Sequence, residues 1–511
     1  SLVDQMDPVN IYAVVATVEA LVRSGITDPY EIYQYFHVSE VGHSIGSCLG
    51  GATSLLDVFR TRWSDKTMNT ETLLEATINT TSAWINVLLL SASGPLKPTV
   101  GACATAAMAL DIAVESIMNG KAKMMVAGAV DAYSQETAYE LAVMDATANA
   151  DDELAHGRFP KEMCRPCTST RGGFTEGYGS GISILMSAST AIEMGAPIYG
   201  IISLTTTATD KSIRNFTAPG QGILTIGREN HGSGNSPLLD IGFRRQMFNG
   251  QMAYIESVAA EGERTGRPIP QDELLRLKRD ARNTWSNGFY KNNPSISPLR
   301  GALAMWGLGP NDIGMASFHG TSTTLNDKNE SEVISKLMKQ LGREPGLPVP
   351  VVCQKWLTGH PKAVAAQFMM NGLLQAMNSG VIPGNENADN IDAEFERFEY
   401  LVYPSRSYNV PIIKAAMLTT FGLSQASGGA LVIHPDYLFA TLTKDELERY
   451  RRKNTGRTTK SQRYLLDTLA GRHTLVQVKE APPYTPEQET EVYLDSLSRA
   501  KYDPKTKTYC Y

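Results

Sequence analysis

Apolar residues recur at helical spacing through Ile11, Val14, Val15, Val18, Leu21 and Val22, which predicts an amphipathic helix over Pro8–Arg23 stopped at Ser24-Gly25. A shorter helix is expected over 29–36. The approach Pro98-Thr99-Val100 leads into a helical pattern from Ala104 to Met118, and Asn119-Gly120 supplies a left-handed stop. Continuous apolar runs at 123–130, 182–186 and 198–205 predict buried strands, and the run 83–92 reads as core. From about 228 to 295 the chain turns polar, with Arg244-Arg245 and a charged helix over Gln271–Trp285 whose charged face is expected to be solvated; the segment is expected to be an insertion on the core. The pattern resumes with a helix over 298–306, a strand at 315–318, a charged helix over 327–341, an apolar approach at 349–353 and a helix over 363–377. Strands at 413–419 and 430–434 follow. Strands alternating with helices indicate an α/β chain. Cys103 and His360 each precede an apolar helix, and the helices end in Met-Asn-Gly and Met-Asn-Ser-Gly, which suggests a duplicated unit. The expected organisation is one domain over 1–435, followed by a wrapping segment and linker over 436–511.

Composition narrows the function. A net charge of −6 argues against a general nucleic-acid or membrane-surface binder, and no apolar run reaches the about 18 residues that span a bilayer. Six unevenly spaced cysteines do not form a secreted disulfide framework, so a reducing, cytoplasmic setting is expected. Cys164-Arg-Pro-Cys167 lacks a second pair or nearby histidines for zinc and reads as packing. The glycine-rich stretch 41–51 does not match a phosphate-binding pattern; its glycines are expected to permit close backbone packing, or to line a ligand channel. The first residues show no signal pattern, and both ends look cut from a longer polypeptide.

The candidate nucleophile is Cys103, among small residues at the start of a helix, where the helix dipole is expected to favour the thiolate. Such a nucleophile needs groups that handle protons and developing oxyanions. Two of the eight histidines, His319 and His360, sit in Gly- and Thr-bearing turns after apolar approaches, with Lys355 five residues before the second.

The elbow Gly-Ala-Cys103-Ala-Thr, the loop Phe-His319-Gly-Thr-Ser-Thr and the turn Lys355-Trp-Leu-Thr-Gly-His360 together resemble β-ketoacyl synthases of the thiolase fold. The similarity is closer to the ketoacyl synthase domain of the fungal type I fatty acid synthase α subunit, through the stretches 205–210, 218–224, 327–331 and 382–389. The resemblance implies a duplicated five-layer αβαβα core with helical insertions. It implies that Cys103 takes an acyl chain from an acyl carrier protein and that malonyl-carrier protein then decarboxylates and condenses with it. His319 and His360 would stabilise the enolate, and Lys355, with Glu330 in support, would hold the electrostatics. The amides of Cys103 and Leu423 would form an oxyanion hole gated by Phe421, and Thr321 and Thr323 would contact the phosphopantetheine arm of the carrier. No metal or other cofactor is implied. The implied partners are the carrier protein, a second copy in a homodimer, and the other domains and β subunit of a fatty acid synthase.

Departures from the family pattern concern the acyl channel. The family's Phe-Gly-Phe-Gly turn is here Phe421-Gly422-Leu423-Ser424. Cys48 and Leu49 stand where fungal synthases commonly carry Gly and Met, and Thr77 where Phe is expected. The changes imply altered chain-length preference, as in a short-chain synthase serving secondary metabolism. A thiolase pairs two cysteines with one histidine, which the His319/His360 pair and the missing C-terminal Cys-Gly motif oppose. A non-catalytic chain-length-factor-like partner is opposed by the presence of Cys103, His319, His360 and Lys355.

Overall fold

A computed structural model of the chain describes residues 6–67, 72–210, 220–230, 233–291 and 293–511. Ala218 and Pro219 of the stretch 218–224, and residues 231–232 and 292 of the polar segment, lie outside the described residues. The main strands in chain order are β1 (Val41–Gly46), β2 (Met124–Asp131), β3 (Gly179–Met186), β4 (Ile201–Thr209), β5 (Ile313–Ser317), β6 (Val349–Val352), β7 (Val381–Ile382), β8 (Leu401–Val402), β9 (Tyr408–Asn409), β10 (Ala415–Phe421) and β11 (Ala426–Ile433).

Strand β7 pairs with β9 in a separate antiparallel ribbon, and the other nine of these strands build two mixed sheets, in the orders β1-β2-β3 and β4-β11-β10-β5-β6-β8. Helices Thr105–Met118 and Ala365–Ser379 lie between them, and Leu110, Ala113, Met369 and Leu373 pack there against Met125 from one sheet and Leu418 from the other. Helix Pro8–Arg23 covers the outer face of the first sheet, while Pro298–Ala304 and Thr324–Gln340 cover that of the second. The five layers αβαβα follow from this arrangement. Strand β2 is buried at every position, as its unbroken apolar run requires of a strand packed on both faces.

Strand β1 lies in the glycine-rich stretch, an element that hydrophobic spacing did not signal. Its glycines serve close approach: a Cβ on Gly46 would lie 2.3 Å from Thr105 Cγ2 and 2.5 Å from the Thr99 carbonyl oxygen. The first sheet is thereby pressed onto the start of the helix behind Cys103.

The polar segment carries two long helices where one was expected, Ile241–Arg264 and Gln271–Trp285, packed against each other. Arg244 lies on the first of them. It is buried, donates to the Leu238 and Ala304 carbonyls and stacks over Phe289 at 4.1 Å. The helix around it mixes apolar and charged residues without a clean stripe, so spacing did not reveal it. The C-terminal segment forms helices Lys444–Leu469 and Pro486–Leu494 and a hairpin of β12 (Lys501–Asp503) and β13 (Thr508–Cys510). Its Val492 and Ala500 join the core of the first sheet. Cys164 and Cys167 are both buried, and Cys167 Sγ lies 3.9 Å from Cys353 Sγ. No described helix is long and apolar enough to cross a membrane.

Candidate active site

Cys103 stands on a tight elbow. Ala102 takes a left-handed backbone (φ 48°), a single 3-10 turn covers Ala102–Ala104, and the helix then starts at Thr105. The Thr105 hydroxyl secures this turn: it accepts from the Gly101 amide at 2.9 Å and donates to the Ala102 carbonyl at 2.6 Å. The turn after β10 lies directly on the elbow. A Cβ on Gly422 would meet the Gly101 carbonyl oxygen at 2.6 Å and the Cys103 nitrogen at 3.1 Å, so only glycine allows this contact. The turn continues through Ser424 and Gln425, both with left-handed backbones (φ 61° and 71°). The amides of Leu423 and of Cys103 itself both act on the Cys103 sulfur.

The thiolate expected from the helix position does not follow. Burial pushes the Cys103 thiol up to about 11, against the opposing pull of Lys355 and the two amides. Taking the charge out of water outweighs the helix end. Cys103 therefore rests as a thiol and needs a proton acceptor, and His360 Nε2 lies 3.1 Å from its sulfur.

His319 follows β5 and is fixed from both sides. Glu330 accepts from the amides of His319 (2.7 Å) and Gly320 (2.9 Å) and from the Thr419 hydroxyl (2.6 Å). Lys355 Nζ donates to the His319 carbonyl at 2.5 Å and sits 3.1 Å from its Nδ1. An ammonium only donates, so Nδ1 accepts and the proton resides on Nε2. Thr420, which donates to the Cys103 carbonyl at 2.9 Å, lies 3.1 Å from the same Nδ1. Burial, then Lys355 and His360, push His319 well below the ordinary histidine range. Burial likewise pushes Lys355 down, and it pushes Glu330 up against the opposing pull of the three donors on its oxygens and of Lys355. The two are linked through His319 and not by a direct ion pair.

His360 follows the left-handed Gly359 (φ 65°). Its amide donates to the Thr175 carbonyl at 2.7 Å, and its ring meets Phe174 edge-on at 4.7 Å and His319 at 5.0 Å. Its Nδ1 is buried without a hydrogen-bond partner among the described residues. Burial, Lys355 and Lys362 hold it well below the ordinary range. The ligating atoms of Cys103, His319 and His360 all lie within 4.8 Å of one another.

The structure thus gathers Cys103, His319, His360, Lys355, Glu330 and Leu423. Phe421 is buried, 6.3 Å from His319, with Gly220 packed on its ring. Thr321 and Thr323 share a hydrogen bond of 2.9 Å beyond His319. Cys48 is close enough for Cys103 to act on its thiol, and its amide donates to Asp131. Leu49 and Thr77 stand apart: both are exposed, and the Thr77 hydroxyl is bonded to the Leu74 carbonyl and Thr80. They would line an acyl channel only where a second surface covers them. Thr420, Phe174 and Lys362 were not singled out from the sequence, and Gly422 was read only as part of the Phe421–Ser424 turn. The Thr-Thr pair directly before the Phe421-Gly422 turn was the one available signal.

Gly422→Ala tests the oxyanion hole that the family resemblance implies for the Cys103 and Leu423 amides. The Gly422 φ of −94° suits alanine, so the clash with the elbow is the whole effect. Displacing the Leu423 amide is expected to slow acylation of Cys103 by about 100-fold or more, the usual effect of losing one such donor. An unchanged acylation rate, read by mass of the Cys103 peptide, would remove Leu423 from the oxyanion hole.

A cysteine elbow on a central helix between two sheets places the chain in the thiolase-fold class of condensing enzymes. The solved structure of the noncanonical ketosynthase FabY from P. aeruginosa shares this fold, with a TM-score of 0.69 over 91% of this chain and 63% of that one, at 18% identity. The family profiles of the β-ketoacyl synthase N-terminal and C-terminal domains match residues 1–191 and 279–389. The chain belongs to the β-ketoacyl synthase family. It is 47% identical to the fatty acid synthase subunit alpha of Candida albicans and 45% identical to that of Saccharomyces cerevisiae, over 98% and 99% of this chain. The fatty acid synthase alpha subunit pkiB of Emericella nidulans is 46% identical over 98% of it. The chain spans 28% of the length of these curated relatives.

Proposed function

We propose that this chain condenses an acyl group held on Cys103 with a malonyl group on an acyl carrier protein, with loss of carbon dioxide, in fatty acid chain elongation. What carries the reading is the difference between the two imidazoles. Nδ1 of His319 is committed to Lys355, so its Nε2–H serves only as a donor. Nδ1 of His360 is uncommitted, so its Nε2 can accept a proton in one step and donate in another.

In the first step the Cys103 sulfur attacks the acyl thioester, His360 takes its proton, and the oxyanion rests on the amides of Cys103 and Leu423. The proton passes to the departing pantetheine thiolate. Before the second step the neutral His360 ring exchanges its Nδ1 proton for one on Nε2, a tautomer change that its unpartnered Nδ1 does not oppose. The malonyl carboxylate then leaves as carbon dioxide, and the Nε2–H groups of His319 and His360 hold the enolate oxygen. Two neutral donors suffice for this, and burial keeps both rings neutral. The carbanion attacks the Cys103 thioester, and the expelled thiolate regains a proton from water. Thr321 and Thr323 would meet the phosphopantetheine arm, which belongs to the carrier substrate; the domain needs no cofactor of its own in this scheme.

The relatives are named fatty acid synthase subunit alpha and this chain spans 28% of their length, which supports the other domains of such a subunit as partners, with a β subunit proposed beside them. A homodimer is supported by the segment 95–100, which runs beside β1 with single parallel bridges at Leu96 and Thr99 and leaves Leu96 and Val100 exposed. Six free cysteines fit a cytoplasmic setting.

Supplying acyl- and malonyl-carrier protein and following Cys103 by mass tests the scheme: an acyl adduct should appear and be discharged together with release of carbon dioxide. No adduct, and no alkylation of Cys103 by a cerulenin-type inhibitor, would favour a non-catalytic scaffold. Cys48 beside the nucleophile favours short acyl chains, as in secondary metabolism. Cys48→Gly should lengthen the released acids, and a wild-type profile dominated by palmitate and stearate would sink the short-chain idea.

A further inference from the structure

The two central helices open alike. Ala102 (φ 48°) starts the 3-10 turn into the first, and Lys362 (φ 51°) starts the turn Lys362–Val364 into the second. In the first elbow the next residue is the nucleophile Cys103; in the second it is Ala363, which carries no chemistry. The second elbow instead has a lysine at its left-handed position, a backbone conformation that strains any residue with a side chain. That side chain is buried. Lys362 Nζ lies 2.5 Å from Glu176 Oε1, and their side-chain exposures are 8% and 12%.

A buried ion pair is a poor stabiliser, because desolvation offsets most of the attraction. Its position shows what it acts on. Glu176 lies on the segment that runs beside His360: the His360 amide donates to the Thr175 carbonyl, and the Gly177 amide donates to the His360 carbonyl at 3.0 Å. The two backbones touch, since a Cβ on Gly359 or on Gly177 would lie 2.8 Å from the carbonyl oxygen of Thr175 or Thr358. Phe174, edge-on to the His360 ring, belongs to the same segment. The Glu176–Lys362 pair closes this unit two residues beyond the histidine.

We propose that the Glu176–Lys362 ion pair is a positioning device for His360, fixing the imidazole against Cys103 in place of the hydrogen bond that its Nδ1 lacks. The inference rests on the ketosynthase reading of the site. Neither side chain touches the reacting atoms; both act through the backbone and the ring of His360. The charged and titratable groups around that ring are Cys103, His319, Lys355 and Lys362, with Glu176 paired to the last. Removing Lys362 therefore takes away one of the positive charges that hold His360 neutral.

The test compares Lys362→Met, Glu176→Gln, the double variant and Lys362→Arg in the intact protein, using decarboxylation of a malonyl-pantetheine thioester. In Lys362→Met, kcat should fall about 10- to 100-fold, the usual cost of losing an orienting partner, with KM within about twofold. The acid limb of its pH profile should move to higher pH, and Lys362→Arg should recover most of the rate. Should either single variant fail to fold, the double variant, which leaves no unpaired charge, carries the same kcat expectation. Wild-type kcat with only a lowered Tm, or a raised KM at unchanged kcat, would overturn the positioning role. If the wild type neither accepts an acyl group on Cys103 nor decarboxylates malonyl thioester, the ketosynthase reading falls instead.

Discussion

Cys103→Ala is expected to abolish condensation while leaving decarboxylation of malonyl thioester in place. The acyl group has no other acceptor in the scheme, so the loss should be complete within detection, at least about 10⁴-fold. The enolate donors do not depend on the sulfur. His319 is held by Lys355, Glu330 and Thr420, and His360 by the Thr175–Gly177 segment and Phe174. Carbon dioxide release from malonyl-carrier protein should continue, producing acetyl-carrier protein that never elongates. Retained condensation would refute the assignment of Cys103. Loss of both activities would mean that the sulfur also positions the malonyl group. In the wild type, a resting pKa of about 11 predicts that a small neutral alkylating agent reacts with Cys103 faster as pH rises through 8 to 10, since only the thiolate attacks.

Lys355→Met should produce the second large effect, on the other half-reaction. Lys355 gives His319 its tautomer, and its removal frees Nδ1 to take the proton and leaves Nε2 as an acceptor facing the enolate oxygen. Decarboxylation is expected to fall about 100- to 1000-fold, the scale of losing a preorganised donor. Acylation of Cys103, which relies on His360 and the two amides, should change far less. The substitution also leaves Glu330 buried with one positive charge fewer nearby, so a drop of about 3 kcal/mol in stability is expected. Comparing both half-reactions on the same folded preparation separates the effects. Equal losses in the two would mean that Lys355 supports the whole site and not the His319 tautomer.

The reaction class was legible in the chain through its resemblance to β-ketoacyl synthases, which is carried by three short local patterns. The residues around Cys103, His319 and Lys355–His360 each form one turn, and a turn needs particular residues at particular places: glycine at 359, small side chains beside Cys103, threonines after His319. The apolar runs of β2 and the two central helices were legible for a similar reason, as burial on all sides leaves little room for polar residues. Strand β1 was not, because its glycines are chosen by contact with Thr99 and Thr105, which a linear pattern does not show. Helix Ile241–Arg264 was missed because Arg244 is buried by stacking and carbonyl contacts in place of apolar spacing.

By itself, then, the sequence determined the α/β class, the duplicated helix openings and the residue types of a cysteine–histidine–histidine condensing site, since these depend on neighbours in the chain. Only the tertiary structure decided how those groups behave. Burial made Cys103 a thiol where its helix position alone favoured a thiolate. Lys355 reached His319 across the fold to set its tautomer, while His360 was left free to accept and donate. The Glu176–Lys362 pair joined segments far apart in the chain. Protonation state and orientation depend on desolvation and on partners brought from elsewhere in the chain, and both exist only once the two sheets have closed on the helices between them.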